Sequence, residues 1–252
     1  LNKPGADTPA FSRVRADHHV FEAEQARPDD PEGYWRELRA RYFGNVTLLD
    51  RAIGPILGAL AQTGQANNTI VVFTSDHGDS LGDRVMINKR SFYEEVSRVP
   101  LIIHVPWLGS EERRVDGNIG HVDLVPTLLD LIGEEVPEHI QGSSRKNVLE
   151  GKAELSDDVF LQWHGGAATV PLGNPEIERL SEVPWRCMVS GDRWKLNLSP
   201  GDLCELYDLN QDPLELINLY DHSAHTERVR TMTNRIKEWQ NHTGDELELP
   251  VK

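Results

Sequence analysis

The sequence predicts an α/β protein with a small antiparallel sheet at its C-terminal end, on three observations. A stripe of apolar residues at helical spacing leads into a continuous apolar run, Ile70-Val71-Val72-Phe73, which has the length and β-branching of a buried strand. A second run, Leu101–Val105, is closed by Pro106. Beyond about Gly151 the pattern breaks into short strands separated by turns.

Residues 1–33 are rich in Pro, Asp, Glu and Arg, and their apolar residues are isolated, so they read as an irregular lead-in. From Trp35 through Leu38, Tyr42, Val46, Leu49, Ile53, Leu57 and Leu60 the apolar residues step by three or four, which predicts a helix. Pro55 lacks the N–H that would bond the Arg51 carbonyl, so a kink or break is expected there, and Gly64 is placed to cap the C-terminus. A strand over Thr69–Thr74, buried on both faces, follows a polar turn. After a second strand over Pro100–Val105, Val122–Ile132 form a short helix with Asp123 near its start and Gly133 past its end. The C-terminal strands are expected at Val159–Trp163, Trp185–Ser190, Trp194–Leu198 and Leu203–Leu209. Val229, Met232, Ile236 and Trp239 supply the stripe of a helix that covers one face of that sheet.

A formal charge of −15 and a pI near 5.1 argue against nucleic acid as a partner, because neutralising phosphates takes a basic face. A local cation can still receive a small anion. No apolar run approaches the roughly 18 residues of a membrane span. Cys187 and Cys204 are too few for a disulfide framework and leave the compartment open.

The chemistry concentrates in Thr74-Ser75-Asp76-His77-Gly78-Asp79, directly after the first strand. Ligands of open α/β sheets bind at the carboxyl ends of strands. A carboxylate and a neighbouring imidazole can both reach a divalent cation there, and Gly78 lets the chain turn away. The alternative is that Asp76 caps the turn and His77 hydrogen-bonds a carbonyl. Lys89 follows in Asn88-Lys89-Arg90, either as an ammonium that stabilises developing negative charge or as a solvated loop cation. Asp79, Asp83, Glu94 and Glu95 are expected to support this loop by pairing with Arg84, Arg90 or Arg98. His164, before Gly165-Gly166 at the end of a strand, is either a substrate-facing or a structural histidine.

Several separated motifs, in one order, carry a resemblance. Asp50-Arg51-Ala52-Ile53-Gly54, the run Asn68–Asp79, Leu81-Gly82-Asp83, Lys89-Arg90 and Arg98–Ile103 resemble the type I sulfatases of the alkaline phosphatase superfamily. Val122–Leu131, Glu205-Leu206-Tyr207-Asp208-Leu209, Asp212-Pro213 and Glu215–Leu219 extend the likeness to the C-terminus. It covers about Tyr34 to the end and is specific for the family, not for a substrate.

The resemblance implies part of an alkaline-phosphatase-like sheet with packed helices. Residues 34–150 would then be the C-terminal part of the catalytic α/β domain, and residues 151–252 a small α+β subdomain. It implies a divalent metal, calcium foremost, held by carboxylates from two distant parts of the chain, with Asp76 matching one ligand and His77 the adjoining position. It assigns Lys89 to the sulfate group, and His164 is a further candidate for substrate contact. The family's nucleophile is a formylglycine made within a Cys/Ser-x-Pro-x-Arg motif, and no Cys or Ser of this sequence stands in one. Sulfated small molecules or saccharides are the implied substrates. The nucleophile would come from a missing N-terminal half, so these residues alone are expected to be inactive and to pair with that half or self-associate through exposed apolar surface. A phosphate or phosphonate ester hydrolase and a non-catalytic binding module are the alternatives.

Overall fold

The computed structural model describes residues 3–109, 111–166 and 174–250. The elements run α1 (Ala10–Ala26), α2 (Pro31–Gln62), β1 (Val71–Thr74), α3 (Glu94–Ser97), β2 (Leu101–His104), α4 (Leu124–Ile132), α5 (Lys146–Leu149), β3 (Val159–Trp163), α6 (Pro175–Ser181), β4 (Trp185–Val189), β5 (Trp194–Leu198), β6 (Glu205–Asp208) and α7 (Thr226–Thr243). They divide into two compact units, Leu1–Ala6 with Phe11–Glu111 and Asp7–Ala10 with Glu112–Lys252.

In the first unit α2 begins at Asp30, whose carboxylate accepts the Gly33 N–H, with Pro31 in the first turn where its missing donor costs nothing. It runs unbroken through Pro55. The expected break is therefore absent: one lost hydrogen bond does not end a helix held on both sides by regular turns. The helix closes on Gly64 in the left-handed region, with the Gly64 N–H donating to Ala61 and the Gln65 N–H to Leu60. Beyond Trp35 no residue of α2 is buried, so the predicted apolar stripe, including Leu49 and Leu57, lies open.

β1 and β2 pair antiparallel with Val71 opposite His104 and Phe73 opposite Ile102. The strands stand where the sequence puts them, but β1 is not buried on both faces: Phe73 and its partner Ile102 are exposed. Residues 1–33 also need correction. They contain α1, a helix whose buried side chains are Phe11, Ser12, Arg15, Ala16 and Ala23. Small and polar residues line its inner face, so no apolar stripe announces it.

In the second unit β3-β4-β5-β6 form one antiparallel sheet in chain order. Leu196, Leu198, Met188 and Leu206 of the sheet meet Val229, Met232 and Ile236 of α7 in a closed core. Phe160 stacks on Trp239 at a centroid distance of 5.3 Å. A fully buried side chain of this size stabilises by roughly 1.5–3 kcal/mol, so the core alone accounts for a firm subdomain. The other face of the sheet is buried as well and carries Lys195, Asn197 and Glu205, with the Lys195 ammonium 2.9 Å from Glu215. Cys187 and Cys204 are buried thiols that form no disulfide.

Candidate functional site

The apolar strand β1 delivers Ser75, Asp76 and His77 at its carboxyl end. Gly78 follows because nothing larger fits: a Cβ there would lie 2.0 Å from the Glu95 carbonyl oxygen, while its N–H donates to Val96. Close approach to the 95–96 backbone, rather than a sharp turn, is what requires glycine.

Asp76 and His77 lock to each other. The His77 N–H donates to Asp76 Oδ1 at 2.9 Å, and the second carboxylate oxygen lies 3.4 Å from His77 Nε2. That backbone donor first, and the neighbouring His77 and Lys89 after it, hold the Asp76 carboxyl below the usual carboxylate range. The imidazole Nδ1 sits 2.8 Å from the Gly78 carbonyl, which can only accept, so Nδ1 carries the proton. Nε2 is then an acceptor, and Lys89 Nζ lies 2.6 Å from it. The structure thus brings together Asp76, His77 and Lys89. The turn-cap and carbonyl contacts foreseen as the alternative are also present.

Lys89 is delivered by a tightly braced loop. Asp79 Oδ1 accepts from the Leu81 and Asn88 N–H groups at 2.9 and 3.0 Å, and the Ser80 N–H and hydroxyl both donate to the Asn88 carbonyl. Arg39 of α2 donates to the Leu81 carbonyl at 2.7 Å and pairs with Asp83. Arg84 lies over the Tyr93 ring at 3.7 Å, its Nε 3.4 Å from Glu95, and Glu94 stands 3.9 Å from Arg98. The acidic residues around the loop therefore support it, Asp79 through backbone donors and Asp83 through an arginine of α2.

His164 lies in the second unit, exposed just past β3. The turn after it is fixed by Gly165, whose Cβ would meet the Glu182 carbonyl at 2.0 Å, and by the Trp163 indole N–H donating to Ser181. Residues 167–173, which follow this turn, are outside the described ones.

Asp76 offers exposed carboxylate oxygens and His77 one ring nitrogen, a donor set that fits part of the shell of a divalent cation. Among the described residues no group of three or more His, Cys, Asp or Glu could hold a metal ion, so this pair would be a partial ligand set. Among the described residues, too, no helix is long and apolar enough to cross a membrane.

An apolar strand here ends in a carboxylate and an imidazole, and a braced loop returns an ammonium to them. The chain belongs to the sulfatase family: the family model described as Sulfatase matches residues 7–134, and that of the N-sulphoglucosamine sulphohydrolase C-terminal region matches residues 82–242. Over 216 residues it is 32% identical to the N-acetylglucosamine-6-O-sulfatase of Bacteroides thetaiotaomicron, an alignment covering 84% of this chain and 37% of that protein. A solved structure described as a complex with its substrate D-glucosamine-2-N,6-O-disulfate superposes with a TM-score of 0.70 at 29% identity, covering 80% of this chain and 40% of that one. The phosphonate monoester hydrolase of Agrobacterium radiobacter gives 0.70 at 26% identity, covering 81% and 41%. The fold is thus the alkaline-phosphatase-like α/β fold of the sulfatases. The chain spans well under half the length of the curated relatives it matches.

Proposed function

We propose that this chain contributes the metal-and-lysine edge of a sulfatase that hydrolyses sulfate esters of small molecules or saccharides. The observation that carries the reading is the Lys89 ammonium 2.6 Å from His77 Nε2, beside Asp76, in a chain of this family. Asp76 and His77 would hold a divalent cation, calcium foremost, which when bound supplies Lewis-acid neutralisation of the ester oxygens. Lys89 Nζ lies 2.6 Å from Nε2, and as an ammonium it would donate to a sulfate oxygen. There it would stabilise the charge that grows as the S–O bond breaks. His77 is held in the required tautomer by the Gly78 carbonyl, and Asp76 stays ionised because the His77 N–H donates to it.

The formylglycine nucleophile would come from residues other than these 252, since none of them stands in the motif that forms it. Residues 34–150 would be part of the catalytic domain and residues 151–252 its smaller partner, with His164 offered to substrate. The open face of α2 and the exposed Phe73–Ile102 pair are where further chain, or a second copy, would pack. The likeness to a phosphonate monoester hydrolase supports one second reading, a phosphonate or phosphate ester substrate at the same edge.

The test is turnover of an aryl sulfate, an aryl phosphate diester and an aryl phosphonate by the complete product of the reading frame, with calcium and after chelation. Sulfate hydrolysis abolished by chelation is expected. A preference for the phosphonate would favour the second reading, and robust sulfate turnover by residues 1–252 alone would show that the nucleophile has been misjudged.

A further inference from the structure

The segment from Asp79 to Ser91 stores unusual backbone strain. Leu81, Arg84, Val85, Asn88 and Arg90 all have positive φ, five of the seven such non-glycine residues in the described chain. A β-branched residue such as Val85 is a marked outlier in that region, and each such residue costs on the order of 1 kcal/mol or more. Such a loop keeps its shape only if its surroundings over-determine it. Within the loop the Asp79 carboxylate and Ser80 tie residues 81 and 88 together. From outside, Arg39 holds the near end through the Leu81 carbonyl.

The far end, next to Lys89, is held from α1. Arg15 is buried, its guanidinium 5.3 Å from the Phe11 ring centroid, and its Nη2 donates to the Ile87 carbonyl at 2.7 Å. Burying a guanidinium is costly unless its donors are used, yet Nη1 has no hydrogen-bond partner. Burial first, and then the charge of Arg90, lower its pKa to about 10, with Asp79 acting in the opposite sense. A residue that α1 buries at such cost, on the carbonyl two positions before the proposed catalytic ammonium, calls for a role beyond packing.

We propose that Arg15 is a positioning residue: its hydrogen bond to the Ile87 carbonyl fixes the far end of the strained 79–91 loop and so sets Lys89 against His77. This rests on the reading of Lys89 as the group that meets the ester. Arg15 itself touches neither substrate nor metal ligand. It acts by removing the freedom of the two residues that separate Ile87 from the ammonium, since a misplacement of about 1 Å can cost on the order of a hundredfold in rate.

The test compares Arg15→Met, which keeps length and burial but loses the donor, with Arg15→Lys, which retains one. In the complete gene product Arg15→Met should lower kcat for an aryl sulfate by about tenfold to a hundredfold with little change in KM, and Arg15→Lys should recover part of the loss. Amide hydrogen exchange should accelerate at Leu81 and Asn88 while Met188 and Leu196 of the second unit keep their protection. Unchanged kcat in a folded Arg15→Met protein would overturn the proposal. So would exchange that rises evenly across the chain with no recovery in Arg15→Lys, which would mark a structural role only. Should Arg15→Met fail to fold, Arg15→Lys decides alone: loosened loop exchange together with a lowered kcat supports the clamp, and wild-type kcat, with or without loosened exchange, refutes it. If the wild-type protein hydrolyses no sulfate ester, the functional reading falls while the exchange data still decide whether Arg15 holds the loop.

Discussion

β5 and β1 are both short strands, yet β5, which carries Lys195 and Asn197, is almost wholly buried while the more apolar β1 is half open along its length. Leu196 and Leu198 meet α7 on one face of β5, and on the other Lys195 pairs with Glu215 while the Asn197 side-chain N–H donates to Glu205. β1 has one strand partner and leaves Phe73 and Ile102 exposed side by side. The second unit therefore closes its own core, whereas the first invests its order in a braced loop and leaves apolar surface open. The contrast sets a closed core in one unit against the proposed Asp76–His77–Lys89 site in the other, and substitutions should separate the two.

The largest expected effect falls on the closed sheet. Glu215→Gln removes the carboxylate 2.9 Å from the buried Lys195 ammonium and should cost about 3–5 kcal/mol in urea unfolding. Activity should fall only as far as the folded fraction does; a loss of kcat in the folded protein would blur the contrast. Next comes the site. Lys89→Ala should reduce kcat for an aryl sulfate by roughly 10²–10³ with an unchanged unfolding midpoint, because its ammonium lies at the surface on His77. A shift of the midpoint instead would make Lys89 a structural residue.

The smallest effect depends on pH. Asp245 accepts from Nε and Nη2 of the buried Arg186 guanidinium, each at 2.6 Å, which with Gln240 holds its pKa down at about 2 from an ordinary 3.8. The unfolded carboxyl takes up its proton first as pH falls, so the stability Asp245 contributes is complete above the ordinary value and drains away toward about pH 2. Acid titration of the melting temperature should show this fall in wild type and a shallower one in Asp245→Asn. Equal slopes would detach the pair from stability.

Periodicity located α2, both strands of the first unit and α4, β3, β4, β5, β6 and α7 of the second, but not the short helices α3, α5 and α6. It missed α1, whose inner face is built from Ser12, Arg15, Ala16 and Ala23. It also overstated the burial of β1, because an apolar run reports what a strand can bury and not what covers it. In the second unit, the alternation of Lys195 and Asn197 with Leu196 and Leu198 would send the polar residues to solvent, whereas the partners that bury them come from Glu215 and Glu205. At the site, motif order picked out Asp76, His77 and Lys89, but the contact among them depends on five left-handed residues in a loop of irregular spacing. Arg15 carries no sequence signal, since a buried arginine in a helix without an apolar stripe resembles any surface arginine.

The central claim is that Asp76 and Lys89 act as one constellation through His77. A double-mutant cycle on kcat/KM for an aryl sulfate, using Asp76→Asn, Lys89→Ala and the double variant, tests it most directly. The two losses should fall short of additivity by more than about 1 kcal/mol, since removing either group disables the other. Additive losses would contradict a shared site and leave two independent surface residues.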